Sequence, residues 1–249
     1  MPKFFISPEN FSGHQAVITG SDVHHIRHVL RKKAGDRIII TRRIDMMSFH
    51  AQIEHISPQQ IDLKILHACP QHAPLQNLHP VTLIQAIPKH AKMDFIIQKA
   101  TELGVEKIIP LVSRYSFTNH EGNISPIRWK RWQKICQEAA KQCGRPNIPQ
   151  LHPPAHISAL PDFTVGQDLL RLLLWEEERH NRLKHVLHEQ KKAHKVQVLV
   201  GPEGGFSADE IDLIRQTGFI PVSCGPWILR TETAALYSLS IIQYEFNFG

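Results

Sequence analysis

Val198-Leu199-Val200-Gly201-Pro202-Glu203-Gly204-Gly205-Phe206-Ser207 decides how the chain is to be read. An apolar run short enough for a buried strand passes into a glycine-rich turn, and the turn passes into a segment that Ser207 can cap as a helix. Glu210, three residues after Ser207, completes a capping box. A strand, a glycine turn and a helix in that order belong to an α/β sheet, where ligands settle at the carboxyl ends of the strands. Neither familiar nucleotide motif fits. No Gly-Lys-Ser/Thr follows, and the spacing is not Gly-x-Gly-x-x-Gly after a first strand.

Strand and helix alternate on both sides of this turn. Upstream, Val81–Ile87 and Ile108–Val112 read as strands, with helical spacing over Lys92–Leu103 and from Pro126 to Cys143. Asp168–Trp175 and Val196–Val200 read as strands around a helix at Arg182–Gln190. Downstream come a helix from Ala208 to Thr217, a strand at Phe219–Ser223 and an apolar helix from Thr231 to about Phe246. Such alternation predicts a mostly parallel sheet covered on both faces. Before residue 67 the rhythm differs. Arg37–Thr41, Ser48–Ile53 and Ile61–Leu66 are β segments parted by turns, and a helical piece capped by Ser21 or Asp22 runs toward Gly35. A small barrel is expected there. Residues 67–80 hold three prolines and no Asp, Glu, Lys or Arg, which marks a linker. The chain therefore divides into a β domain at 1–70 and an α/β domain at 75–249.

The 249 residues suffice for one to two domains with true cores. No apolar run nears the roughly 18 residues of a membrane helix, and the start Met1–Ser7 lacks the h-region of a signal peptide. Four scattered cysteines (Cys69, Cys136, Cys143, Cys224) fit reduced thiols in the cytoplasm. The 17 histidines, densest at His24, His25 and His28, carry no metal-ligand spacing, so no metal is expected. The net charge of +6 is segregated: through Cys69 there are 9 basic and 6 acidic residues, over 70–150 there are 11 and 5, and from Leu151 onward 9 and 12. A basic front and middle suit a polyanion. Arg27, Arg31, Lys32, Lys33, Arg42 and Arg43 of the β domain are the preferred RNA-docking residues, with Lys89, Lys92 and Arg145 from the middle stretch. Trp129 and Trp132, at helical spacing, read as one face packed in a core.

One unit beyond the glycine turn, Ser223-Cys224-Gly225-Pro226-Trp227-Ile228-Leu229-Arg230-Thr231-Glu232-Thr233-Ala234 ends another strand in Gly-Pro and opens the last helix with polar residues. Thr231 can cap that helix, and Glu232 then sits in its first turn, where the dipole favours a carboxylate. Together, Gly201–Ser207 and Ile228–Ala234 resemble the paired signature of the RsmE family. These are S-adenosylmethionine-dependent methyltransferases acting on N3 of a uridine in 16S ribosomal RNA, of the SPOUT superfamily. His24-His25-Ile26 with Val29-Leu30-Arg31, Lys92-Met93-Asp94 with Gln98–Val105, and Arg128-Trp129 with Glu138-Ala139-Ala140, Gln142, Gly144 and Arg145 extend the likeness over nearly the whole chain. Trp227 departs from it, standing where the family pattern has a basic residue.

The resemblance implies a SPOUT-type domain with a C-terminal trefoil knot behind a PUA-like β domain, S-adenosylmethionine as cofactor, a homodimer and small-subunit ribosomal RNA as partner. It maps the cofactor onto Leu199, Val200, Gly201, Glu203, Gly204, Cys224, Gly225, Ile228, Leu229, Arg230, Thr231, Thr233 and Ala234, with a third loop after Leu174 closing the pocket. Arg230 is the expected stabiliser of the deprotonated uracil and Glu232 the expected proton acceptor. Two other functions remain open from the residues alone: an RNA-binding ribosome-assembly factor without catalysis, and a nucleotide hydrolase using Gly201–Gly205.

Overall fold

The structure is a computed structural model that describes residues 3–45, 47–69, 79–118, 124–145, 147–164 and 168–248. Its contacts fall into two compact units. One comprises residues 1–76 with 140–147, the other residues 77–139 with 148–249.

In the first unit, β1 (Lys3–Ile6), β2 (Phe11–Ser12) and β3 (Gln15–Thr19) precede a short helix α1 (Ser21–His24). Strands β4 (Arg37–Arg42), β5 (Ser48–Ile56) and β6 (Gln60–Ala68) follow. The sheet order is β1-β4-β5-β6-β3-β2, antiparallel except for the β1–β4 pair. Alternation puts Ile38 and Ile40, Ala51 and Ile53, and Ile61 and Leu63 on one face, where they are buried with Phe4, Ile18 and Ile26. Each of the Ile, Leu and Phe side chains contributes about 1.5–3 kcal/mol by leaving water.

The mixed sheet gives the expected small β domain the form of a half-barrel. Two expectations are corrected here. The helical piece is capped by Gly20, not by the Ser21 or Asp22 side chain, and after a π turn at His25–Val29 it stops at Leu30, short of Gly35. Asp22 instead accepts an ion pair from Lys141 Nζ at 2.7 Å, and Lys3 Nζ donates to the Gly144 carbonyl at 2.5 Å. Both contacts bring residues 140–147 into this unit. Of the expected linker, residues 67 and 68 end β6, and 70–78 lie outside the described residues.

The second unit is built on β7 (Val81–Ala86), α2 (Lys92–Glu102), β8 (Lys107–Val112) and α3 (Pro126–Cys143), whose last four residues fall in the first unit. Next come β9 (Gln150–Leu151), β10 (Ala155–His156), α4 (Leu160–Phe163), β11 (Leu169–Leu174) and α5 (Leu183–Glu189). The chain ends with β12 (Lys195–Val200), α6 (Ala208–Gln216), β13 (Ile220–Val222) and α7 (Thr231–Gln243). The sheet runs β10-β8-β7-β12-β11-β13 with β9 beside β8, and every pair is parallel. Central strands β7 and β12 are buried on both faces, which is why Val81–Ala86 and Val196–Val200 are mostly apolar, with even Gln85 and Gln197 buried. Helix α7 packs against α2, β7 and β12. Trp132 is wholly buried and donates its indole N–H to Asp94 Oδ1 at 2.9 Å, and Trp129 packs beside the same core. Both tryptophans are core residues, as their spacing implied.

Candidate functional site

The carboxyl ends of β11, β12 and β13 reach the same level in register, Leu174 beside Val200 and Val222. Three loops leave from there: 175–182, 201–207 and 223–230. Each is pinned by its own hydrogen bonds. Buried Glu178 accepts the N–H groups of His180 (2.7 Å) and Asn181 (3.0 Å). The N–H groups of Asn181, His180 and Arg179 together hold its carboxyl below the ordinary glutamate range, against the burial that pushes it up. Ser223 N–H then donates to the Asn181 carbonyl at 2.8 Å, joining the first loop to the third. In the glycine loop, Ser207 and Glu210 form the expected capping box, and the other oxygen of Glu210 accepts the Arg114 N–H at 2.7 Å.

An open cavity of about 370 Å³ lies among the three loops. Of the residues mapped to the cofactor, Leu174, Val200, Gly201, Glu203, Cys224, Gly225, Ile228, Leu229, Arg230, Thr231 and Ala234 line it. Leu199, Gly204 and Thr233 do not. Leu199 points into the core on the other face of the sheet, with Ile84, Ile109 and Leu173. Thr233 is exposed on α7. At Gly204 a Cβ would lie 3.0 Å from Tyr115 Cβ, so its lack of a side chain serves close approach of another loop. Ile228 is 85% exposed and cannot bury a ring by itself, whereas Leu229 is half-buried against the core. Trp175, Glu176, Arg179 and Phe206 also face the cavity. The third loop was anticipated, but Arg179 was not, because a single arginine in a charged loop carries no sequence signal.

Thr231 and Lys92 are placed differently from expectation. Helix α7 begins after Arg230, and Thr231 is its first residue, not its cap. The Thr231 hydroxyl donates to the Gly201 carbonyl at 2.6 Å and stands 3.0 Å from Gln85 Nε2, tying α7 to the glycine loop and to β7. Lys92, expected among the RNA-docking residues, stands in the cavity wall. Its ammonium is 2.8 Å from Glu203 Oε1 and 3.3 Å from Glu232 Oε2, while Lys89 N–H donates to Glu203 Oε2 at 3.1 Å.

The Glu203 hydrogen bond, aided by Glu232, lifts the Lys92 ammonium above the ordinary lysine value. Burial pushes Glu203 up, but the Lys92 bond and backbone N–H groups outweigh it and leave the carboxyl below its ordinary value. Glu203 therefore adds stability that is present above the unfolded glutamate value and is lost as pH falls through the lowered folded one. Lys92→Met is expected to lower the melting temperature more at pH 7 than in acid below the lowered Glu203 value, where the carboxyl is protonated in both proteins. Equal losses at both pH values would show that the contact is not electrostatic. Cys224 lacks any such help, and burial pushes its thiol up to about 11.

The remaining basic candidates scatter over the first unit. Arg31, Lys33 and Arg43 are exposed, and Arg27 is half-buried. Lys32 is 3.9 Å from Asp36. Arg42 pairs with Asp45 at 2.5 Å and lies 5.5 and 5.3 Å from the Phe11 and Phe49 ring centres, so its charge is already answered. In the middle stretch Lys89 is exposed and Arg145 half-buried. Among the described residues no group of three or more His, Cys, Asp or Glu is placed to hold a metal ion.

The site residues present suit a methyl donor built from an adenosine and a charged amino acid. Leu174, Val200, Leu229 and Ala234 offer apolar wall, Glu176 and Glu203 offer negative charge, and Glu232 Oε2 is buried beside the Lys92 ammonium. Comparison with known proteins points the same way. Residues 75–243 match the RNA methyltransferase domain family, and residues 18–66 match the RNA methyltransferase PUA domain. Ribosomal RNA small subunit methyltransferase E of Buchnera aphidicola (subsp. Schizaphis graminum) is 34% identical over 233 residues, covering 92% of this chain and 90% of that protein. The Bacillus subtilis protein of the same name is 29% identical over 231 residues, covering 92% and 89%. A crystal structure of the Neisseria gonorrhoeae enzyme of that name, bound to S-adenosyl methionine, superposes over 100% of both chains with a TM-score of 0.85 at 29% identity. With both domains matched and the likeness running from end to end, the fold is the expected parallel α/β domain with a PUA domain, and this chain belongs to the ribosomal RNA small subunit methyltransferase E family.

Proposed function

We propose that this chain transfers the methyl group of S-adenosylmethionine to N3 of a uridine in 16S ribosomal RNA. One observation carries the reading: Arg230 lines the rim of a cavity at the strand ends, and Glu232, the second residue of α7, pairs with Lys92 in that cavity's wall. The cofactor would lie along Leu174, Val200, Gly201, Glu203, Cys224, Gly225, Leu229, Thr231 and Ala234, and would supply an activated methyl group on a sulfonium.

N3 lies on the Watson–Crick edge, so the target must be unpaired or turned out of its stack. It becomes a good nucleophile once its proton leaves. Arg230, exposed and without an ion pair among the described residues, presents a planar fork of donors to the charge then shared by O2 and O4. Glu232 Oε2 has a free lone pair for the proton, and Lys92 positions that carboxylate.

The C-terminal knot is supported by the path of the chain. Strand β13 lies at the sheet edge beside β11, yet nine residues later Thr231 is bonded to Gly201 and Gln85 at the centre. Residues 223–230 thus cross β11 and β12. A homodimer is supported by Phe95, Tyr237 and Tyr244, which leave apolar surface exposed on α2, α7 and the turn after it. RNA docking falls to domain 1–70 and methyl transfer to domain 75–249, in the cytoplasm where ribosomes assemble.

The reading is tested by incubating the full-length protein with labelled S-adenosylmethionine and small ribosomal subunits, then analysing the nucleosides. It predicts 3-methyluridine in 16S RNA. RNA binding without label transfer would favour an assembly factor without catalysis. For the division of labour, Arg31→Glu, Lys33→Glu and Arg43→Glu combined should raise KM for the subunit about tenfold or more and flatten its salt dependence. Cofactor affinity should stay the same. A normal KM would move RNA docking off this surface.

A further inference from the structure

Four tryptophans mark the chain, and three are accounted for by packing. Trp132 is wholly buried, Trp129 packs against the same core, and Trp175 is half-buried with the Arg215 guanidinium 5.0 Å from its ring. Trp227 is different. It is 80% exposed, follows Gly225-Pro226, lines the cavity mouth and makes no ring contact among the described residues. Its neighbour Ile228 is 85% exposed. Two adjacent large apolar side chains held out at a cavity rim contribute nothing to the fold's core.

The charges around Trp227 say what it meets. Arg179 and Arg230 line the same cavity, are exposed and have no ion pair among the described residues, and the exposed acids Glu176 and Glu203 line it with them. Lys92 is already held by Glu203 and Glu232. A second copy of the chain would bury the indole in an interface core, where unpaired charges are depleted. A single-stranded nucleic acid asks for the combination present, an aromatic face for a base and guanidinium groups for phosphate.

We propose that Trp227 is a stacking platform for an unpaired pyrimidine of the RNA substrate at the cavity mouth, with Arg179 holding an adjoining phosphate. This rests on the RNA methyl-transfer reading above and adds a residue that sets which base is presented. The planar indole grips a base by its face, leaving the Watson–Crick edge free to turn toward Arg230.

The test uses the full-length protein with small ribosomal subunits as substrate and single-stranded oligouridylate as optical probe. Trp227→Ala should raise KM for the subunit about tenfold, in the range a base–aromatic stack contributes, and Trp227→Phe should stay within about threefold of the parent. Neither should change S-adenosylmethionine affinity. Oligouridylate should shield the acrylamide-accessible tryptophan fluorescence, and Trp227→Phe should remove that accessible component. Arg179→Gln should weaken subunit binding and lower its salt slope. An unchanged KM in Trp227→Ala overturns the proposal. So does a parent protein that sediments as a dimer and falls apart on Trp227→Ala, since the indole then covers a second copy. An unchanged salt slope in Arg179→Gln overturns the phosphate assignment. Parent protein inactive on every RNA would defeat the methyl-transfer reading itself, whereas active parent protein with an unaffected Trp227→Ala variant defeats only the stacking role.

Discussion

Arg230→Ala is expected to slow methyl transfer about a hundredfold or more, the usual cost of removing a donor that stabilises developing negative charge. S-adenosylmethionine affinity should change by no more than about threefold, because the side chain stands exposed at the rim of the cavity. Its backbone carbonyl accepts the Ala234 N–H at 2.8 Å, a bond the substitution keeps, so α7 should still start in place. Arg230→Lys separates charge from geometry: an ammonium restores the charge but not the planar pair of donors, and should recover only part of the rate. Rate and affinity falling by the same factor would make Arg230 a cofactor-loop residue. If neither falls, the transfer site lies elsewhere.

The second large effect is expected at Gly201. A Cβ there would lie 3.2 Å from the Phe206 ring and 3.4 Å from the Gly205 Cα, while its carbonyl accepts the Thr231 hydroxyl. A valine must push Phe206 and the glycine loop toward the cavity or break the bond that ties α7 to that loop. Gly201→Val should therefore lower S-adenosylmethionine affinity by about a hundredfold or more, as expected when one wall of a preformed site is displaced. Circular dichroism should remain that of the parent. Unchanged affinity in a folded Gly201→Val protein would take the cofactor away from this loop. Gly204→Val acts differently. Its new side chain meets Tyr115 first, so its effect reaches the cavity through the loop after β8.

The α/β domain was legible because its signals are local. Val198–Val200 is apolar without alternation, Ser207 and Glu210 stand at capping-box spacing, and Gly104 and Gly144 follow the helices they end. The β domain was legible less completely. Strand β1, Lys3–Ile6, pairs in parallel with β4, more than thirty residues away, and no local pattern announces such a partner. Thr231 was misjudged for a related reason. Its sequence neighbourhood favours a cap, but Gly201 and Gln85, brought beside it by the sheet, offer its hydroxyl better partners. Lys92 shows the same limit in charge. In sequence it belongs to a basic stretch suited to phosphate, yet in space two carboxylates from Glu203 and Glu232, more than a hundred residues further on, neutralise it. Of the positions mapped to the cofactor, those at strand ends line the cavity, and the Leu199 side chain does not, because alternation turns it to the opposite face of β12.

The central claim is that the cavity between the ends of β11, β12 and β13 is a methyl-donor site. Calorimetric titration of the full-length protein with S-adenosylmethionine, and separately with ATP, tests it most directly. Saturable binding of one S-adenosylmethionine per chain is expected, lost in Gly201→Val and kept in Arg230→Ala, with no heat from ATP. Binding of ATP in place of S-adenosylmethionine, or S-adenosylmethionine binding that Gly201→Val leaves intact, would contradict the account.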